Sequence, residues 1–209
     1  MSDRDSITLR PAQPTFEEGL VFARYLDVAA EGFIRTMLGR RAPQIVASAY
    51  REPANSYSYS NVTFAELDGR IVGMASAYTG TALRSFSEEP VKRAAGFPAL
   101  RMRTMTLLFA PILRILKTVA EEDFYLLALA VDSEQRGKGI GSALMDSVEE
   151  QASASGSARL SLDVSAKNHG AIRLYERRGM SVGSPYPRIP FVPPLFVRMS
   201  KPLPSTTGP

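Results

Sequence analysis

The chain has 209 residues, 44% hydrophobic and 22% charged, a length and balance that suit a single domain spanning 1–209 with room for a sizeable core. It has no cysteine and one histidine, which excludes disulfides, zinc–thiolate sites, iron–sulfur clusters, a cysteine nucleophile and a multi-histidine metal site, so no metal is expected. A net charge of +4 is too small and too scattered for a nucleic-acid binder but fits an anionic small ligand.

The N-terminus shows no apolar leader. The longest apolar stretch, Met105 to Leu113, is broken by Thr106 and Pro111 and too short to span a bilayer. A cytoplasmic location without a membrane partner is therefore expected.

Ile7 to Arg10 alternates and stops at Pro11, which predicts a first strand. Thr15 with Glu18 forms a capping box, and Phe16, Leu20, Ala23 and Leu26 follow at helical spacing. Further helices are predicted from Gly32 to Leu38 and from Pro43 to Tyr50, then a loop over 51–60. Val62–Leu67 and Arg70–Ala75 read as strands joined by Asp68-Gly69, a strong hairpin signal.

Residues 80–122 change character and read as a helical insertion. Ser87 and Glu88 start a helix that Gly96 stops. Met105, Leu108, Ile112, Leu116 and Val119 continue at helical spacing. This stripe must bury against something: a wall over a substrate pocket is the expectation, a homodimer contact the alternative.

Phe124 to Val131 is continuously apolar, as in a strand buried on both faces. Ile140, Leu144, Val148 and Ala152 mark a helix, and Arg159 to Val164 alternates as a strand. Asn168 is a candidate N-cap and Gly179 a helix stop. Met180–Ser184 and Leu195–Ser200 are two last strands, in a tail that holds eight of the fifteen prolines. The element order predicts an α/β fold, a mixed sheet with helices on both faces.

Between the apolar strand and its helix lies Gln135-Arg136-Gly137-Lys138-Gly139-Ile140-Gly141-Ser142. Glycines let backbone N–H groups approach an anion, and the helix N-terminus adds free N–H groups and a positive dipole end. The run fails the Walker A pattern, because Gly139 follows Lys138. It fails the dinucleotide fingerprint, because the sixth place from Gly137 is Ser142 and from Gly139 is Leu144. It matches Arg/Gln-x-x-Gly-x-Gly/Ala at Arg136, Gly139 and Gly141.

On this motif, and on Leu162-Asp163-Val164 followed by Asn168 and by Tyr175 near Gly179, the stretch from Tyr125 to Met180 resembles the GNAT superfamily of N-acetyltransferases. The resemblance implies a mostly antiparallel sheet of about seven strands flanked by helices, with a bulge opening a slot beside the apolar strand. It implies acetyl-CoA as cosubstrate, held by Leu129, Ala130, Val131, Arg136, Gly137, Lys138, Gly139, Ile140, Gly141, Ser142, Asn168 and Tyr175. The N–H of Ala130 or Val131 is expected to polarise the thioester carbonyl. Tyr175 matches the family's general acid.

The acceptor implied is a small-molecule or peptide amine, acetylated by direct attack in a ternary complex. Asp163 and Glu66 are candidate bases, with Asp132 and Glu31 beside them. His169 is read as a bystander, and Arg136, Lys138, Lys167 and Arg173 as possible phosphate partners. A non-catalytic acyl-CoA sensor or regulatory module is the alternative, since it would share the cradle.

Overall fold

The computed structural model describes residues 7–96, 104, 107, 110, 118–186 and 193–204. Seven strands form one sheet: β1 (Thr8–Pro11), β2 (Val62–Leu67), β3 (Arg70–Thr79), β4 (Asp123–Val131), β5 (Arg159–Ser165), β6 (Ser181–Tyr186) and β7 (Phe196–Pro202). Their order is β1-β2-β3-β4-β5-β7-β6. Only β4 and β5 run parallel; every other neighbouring pair is antiparallel.

The hairpin between β2 and β3 turns on Asp68 and Gly69, with φ of 51° and 72°. Two positive φ angles in a two-residue loop match the right-handed twist of the strands it joins. β3 runs four residues beyond the expected Ala75. Ser76, Ala77 and Tyr78 are buried on both faces between β2 and β4, so this stretch lacks the alternation by which strands are read.

Helices cover both faces. On one lie α1 (Phe16–Ala29), α2 (Phe33–Leu38) and α3 (Ala42–Tyr50). Thr15 Oγ1 accepts from the Glu18 N–H at 3.2 Å, while the Glu18 carboxylate accepts from Gln13 N–H at 2.6 Å, so the cap closes two residues upstream of Thr15. Phe22, Tyr25 and Leu26 of α1 and Ile45, Val46 and Tyr50 of α3 share a core with Phe64 and Met74 of the sheet. On the other face α6 (Ile140–Ala154) buries Ile140, Leu144, Met145, Val148 and Ala152, one stripe at helical spacing. α7 (His169–Arg177) lies beside it and adds Tyr175 to that core. Each large apolar side chain buried this way stabilises the fold by about 1.5–3 kcal/mol.

The first part of the insertion forms α4 (Gly80–Ser85) and α5 (Glu89–Ala95). Val91, Ala94 and Ala95 of α5 join the core of α1 and α3. Ala82, Leu83, Phe86 and Val119 cap Tyr78 and Tyr125 on that same face. The two ends of the insertion are pinned together: Arg84 pairs with Glu121 at 2.6 Å and donates to Val119 O at 3.4 Å. The stripe of Met105, Leu108, Ile112 and Leu116 lies outside the described residues, and so does the choice between pocket wall and dimer contact.

At this neck a Cβ on Gly80 would stand 1.9 Å from the Ala120 carbonyl oxygen. Backbone cannot yield as a side-chain tip can, so Gly80→Ala is expected to cost about 3 kcal/mol, at the top of the usual overpacking range. Chemical denaturation checks this, with an unchanged m-value expected.

Candidate functional site

β4 and β5 pair only from Asp123↔Arg159 to Leu126↔Leu162. Beyond that point the strands part. The β3–β4 register shifts between Ser76↔Ala128 and Ala77↔Leu126, which leaves Leu127 as an extra residue on β4. Such a bulge bends its strand and ends local pairing. The result is a wedge-shaped cleft of about 630 Å³, walled by β4 on one side and by β5 and α7 on the other.

Backbone alternation decides which β4 groups face the cleft. Asp132 N–H donates to Val72 O at 2.9 Å, so Asp132–Val72 is a hydrogen-bonded antiparallel pair. The Met74–Ala130 and Ser76–Ala128 pairs are then hydrogen-bonded too, being two and four residues along. Ala130 therefore spends its N–H on β3, which corrects its expected role as carbonyl donor. Leu129 and Val131 turn their N–H and C=O groups the other way, into the cleft, where β5 has moved out of reach.

At the wide end β4 leads through Asp132 and a short 3₁₀ turn (Ser133–Gln135) into the glycine run. Gly137 and Gly139 have φ of 80° and 87°, the left-handed region that glycine enters without strain. The first helical bond of α6 here is Ala143 N–H to Gly139 O at 2.9 Å, so the N–H groups of Ile140, Gly141 and Ser142 have no helical acceptor. Arg136, Gly137, Gly139, Gly141 and Ser142 line the cleft. Ile140 instead buries its side chain in the core, which anchors the helix start. Lys138 is not among the lining residues but donates to Gln135 Oε1, on the cleft wall, at 2.8 Å. Lys167 and Arg173 are exposed and do not line the cleft.

On the far wall Asn168 Oδ1 accepts from Ala171 N–H at 3.0 Å, capping α7, and Asn168 also faces the cleft. Tyr175 lines the same wall at 7% exposure. Burial raises its phenol to about 12, and its hydroxyl has no hydrogen-bond partner among the described residues. His169 is exposed on the first turn of α7, away from the cleft.

The four candidate carboxylates part company. Asp163 lines the cleft but is clamped by Arg198, whose Nε and Nη2 donate at 3.0 and 2.6 Å, and by Tyr125, whose hydroxyl donates at 2.9 Å. Burial first, then the charge of Asp163, pushes the Tyr125 phenol well above its usual value and keeps it a donor. Glu66 is remote from the cleft and paired with Arg10 at 2.8 Å. Asp132 is paired with Arg24 at 2.8 Å. Glu31 accepts from the Ser165 hydroxyl at 3.1 Å. Sequence reading passed over Tyr125, Ser165 and Arg198. They look like ordinary strand residues, and their meeting depends on strand order, to which local patterning is blind.

Arg198 also donates to Thr118 Oγ1 at 2.9 Å, so the end of the insertion is tied to the floor of the cleft. Among the described residues no group of three His, Asp or Glu side chains is placed to hold a metal, and no helix is long and apolar enough to cross a membrane. Removing one partner of the Asp163–Arg198 pair strands the other charge in a part-buried setting. Asp163→Asn is expected to destabilise by about 3 kcal/mol, and a thermal melt measures it.

The profile of the acetyltransferase (GNAT) family matches residues 38–180. No curated protein matches significantly. Among solved structures, an acetyltransferase superposes with a TM-score of 0.64 at 24% identity, over 94% of this chain and 99% of that one. An N-acetyltransferase from Staphylococcus aureus Mu50 superposes with a TM-score of 0.70 at 16% identity, over 93% and 100%. The ribosomal-protein-S18-alanine N-acetyltransferase from Escherichia coli does so at 0.52 and 16%, over 97% of each chain. The seven-stranded sheet, the parted β4 and β5 and the glycine run at the head of α6 agree with the profile match: this chain belongs to the GNAT family of acetyltransferases.

Proposed function

We propose that the protein transfers the acetyl group of acetyl-CoA to a primary amine by direct attack in a ternary complex. The observation that carries this reading is the pair of unmatched β4 amides, Leu129 and Val131, beside the glycine cradle. An extended arm carrying amide groups completes the interrupted sheet there, as an added strand does. The open N–H groups of Ile140, Gly141 and Ser142 suit the pyrophosphate, and Arg136 adds charge.

An arm running back from the cradle along β4 meets Val131 first and Leu129 next. Leu129 is the last cleft-facing amide before the bulge. Its N–H is therefore our choice to polarise the thioester carbonyl, as an oxyanion donor does.

Tyr175 faces the leaving sulfur in this arrangement. A thiol titrates near 8.5, so full proton transfer from a phenol at about 12 is uphill by roughly 5 kcal/mol. Tyr175 thus acts chiefly as a hydrogen-bond donor that stabilises the departing thiolate. The amine has the opposite problem. An alkylammonium with a pKa of about 10.4 is free base in only about one molecule in 2,500 at pH 7, so a proton acceptor is needed before attack.

Gly141→Val tests the cradle cleanly. Gly141 has ordinary helical backbone, and a Cβ there would meet only Val131 Cγ2, at 3.8 Å, so folding is expected to survive. Acetyl-CoA affinity by calorimetry is expected to fall about 100-fold, some 2.7 kcal/mol. Unchanged affinity contradicts the acetyl-CoA assignment. Tight binding with no thiol released by any amine points instead to a sensor.

For the acid, Tyr175→Phe is expected to lower kcat about 10²-fold with acetyl-CoA affinity intact. The protonated phenol is the active form. With its titration raised to about 12, the wild-type rate is expected to show no Tyr175-dependent loss below about pH 11, and to fall only above that.

A further inference from the structure

Resting on the acetyl-transfer reading above, we propose that the acceptor is an aromatic amine, uncharged at neutral pH, and not an alkylammonium. The glycine run, α6 and α7 lie on one face of the sheet and α1 on the other. An arm held by the cradle therefore leaves its carbonyl open toward the α1 side.

Strand alternation names the groups on that side. Leu160, Leu162 and Val164 of β5 and Val197 and Met199 of β7 pack with α6 and α7. Asp163, Ser165 and Phe196 alternate with them and turn toward the α1 face. Leu127 packs with the α1 core. Val28 and Ala29 at the end of α1 complete this end of the cleft.

Val28, Ala29, Leu127 and Phe196 make that end apolar, and Leu127 packs on the rings of Tyr78 and Tyr125. Its one carboxylate, Asp163, has a side chain 7% exposed and already accepts from Arg198 Nε, Arg198 Nη2 and the Tyr125 hydroxyl. Ser165 directs its proton to Glu31, an exposed residue that is not part of the lining, and keeps lone pairs for an amine N–H. The other charged residues of the lining, Arg136 and Arg177, are cations. An ammonium drawn into this end exchanges water for apolar side chains and for a carboxylate already matched by arginine, which is unfavourable. Residues 97–117 and 187–192 supply no base either. Their sequences contain no Asp, Glu or His, and their charges are Arg101, Arg103, Arg114, Lys117 and Arg188.

An aromatic amine avoids the difficulty. Its nitrogen lone pair is delocalised into the ring, so it carries no extra proton at pH 7, and its flat apolar body suits a wall of Val28, Leu127 and Phe196. The step then balances without another reagent. The neutral nitrogen forms the bond to the carbonyl carbon. The carbon–sulfur bond breaks with its electron pair on sulfur, under the Tyr175 hydroxyl. One of the nitrogen's two protons passes to that thiolate. The products are an amide and a thiol, and no proton is released.

Thiol release from acetyl-CoA with aniline and cyclohexylamine, a pair matched in ring size, at pH 7, 8 and 9 tests this, with spermidine and trialanine as further cationic probes. At pH 7 kcat/KM is expected to be at least about 100-fold higher with aniline, because only about one alkylamine molecule in 2,500 is free base there. The aniline rate is expected to stay flat to pH 9, while the cyclohexylamine rate climbs about tenfold per pH unit with its free-base fraction. Val28 is 52% exposed, so Val28→Glu adds a carboxylate at this end without loss of core. It is expected to raise cyclohexylamine kcat/KM at pH 7 about tenfold or more and to leave acetyl-CoA affinity unchanged.

Cyclohexylamine used as well as aniline at pH 7, or at a rate flat from pH 7 to 9, overturns the proposal, since either result requires a base in the protein. So does a wild-type protein that acetylates spermidine or trialanine and not aniline. So does a Val28→Glu variant that binds acetyl-CoA and gains nothing with cyclohexylamine. A wild-type protein that binds no acetyl-CoA, or binds it and releases no thiol with any of these amines, overturns the underlying reading instead.

Discussion

Two parallel strands hydrogen-bond from Asp123 to Leu126 and then separate, because Leu127 adds one residue to β4 that β3 does not match. The separation leaves the backbone groups of Leu129 and Val131 without a strand partner in the middle of a sheet. Unpaired polar backbone there is costly unless water or a ligand satisfies it. The same strand then feeds directly into the glycine run, so an open sheet edge and the unbonded N–H groups at the start of α6 lie end to end. Core packing holds the parted walls in place. α1 and α3 fix β4 from one face, while Leu160, Leu162 and Met199 bind β5 and β7 to α6 and α7 on the other.

The half of the cleft built by β4 and the start of α6 was largely legible in the sequence, because it depends on contiguous residues. A buried apolar strand, glycines that need left-handed backbone and a helix start all lie between Phe124 and Ser142. The Asn168 cap was legible for the same reason, and it and Tyr175 reach the cleft wall from their places on one helix. The hairpin and both helical layers followed from periodicity. The end of β3 did not, since a strand buried on both faces does not alternate.

The half of the cleft built by β5, β7 and the end of the insertion was much less legible. Arg198, Asp163, Tyr125 and Thr118 come from β7, β5, β4 and the end of the insertion, and they meet only because β5 lies between β4 and β7. Sequence reading ranked Asp163 and Glu66 as bases because carboxylates near the motif are all it can see. It cannot see which of them an arginine has neutralised. In the folded chain that pairing makes Asp163 part of a structural clamp under the cleft floor. The clamp also joins the end of the insertion to the cleft floor through Thr118.

Amide-resolved hydrogen exchange, measured with and without acetyl-CoA, tests the central claim most directly. The account holds that the ligand arm replaces the missing strand beside β4. Leu129 and Val131 should then exchange at least about tenfold more slowly when acetyl-CoA is bound, while Ala128 and Ala130, already bonded to β3, change little. Leu129 and Val131 exchanging at the same rate with saturating acetyl-CoA would contradict it.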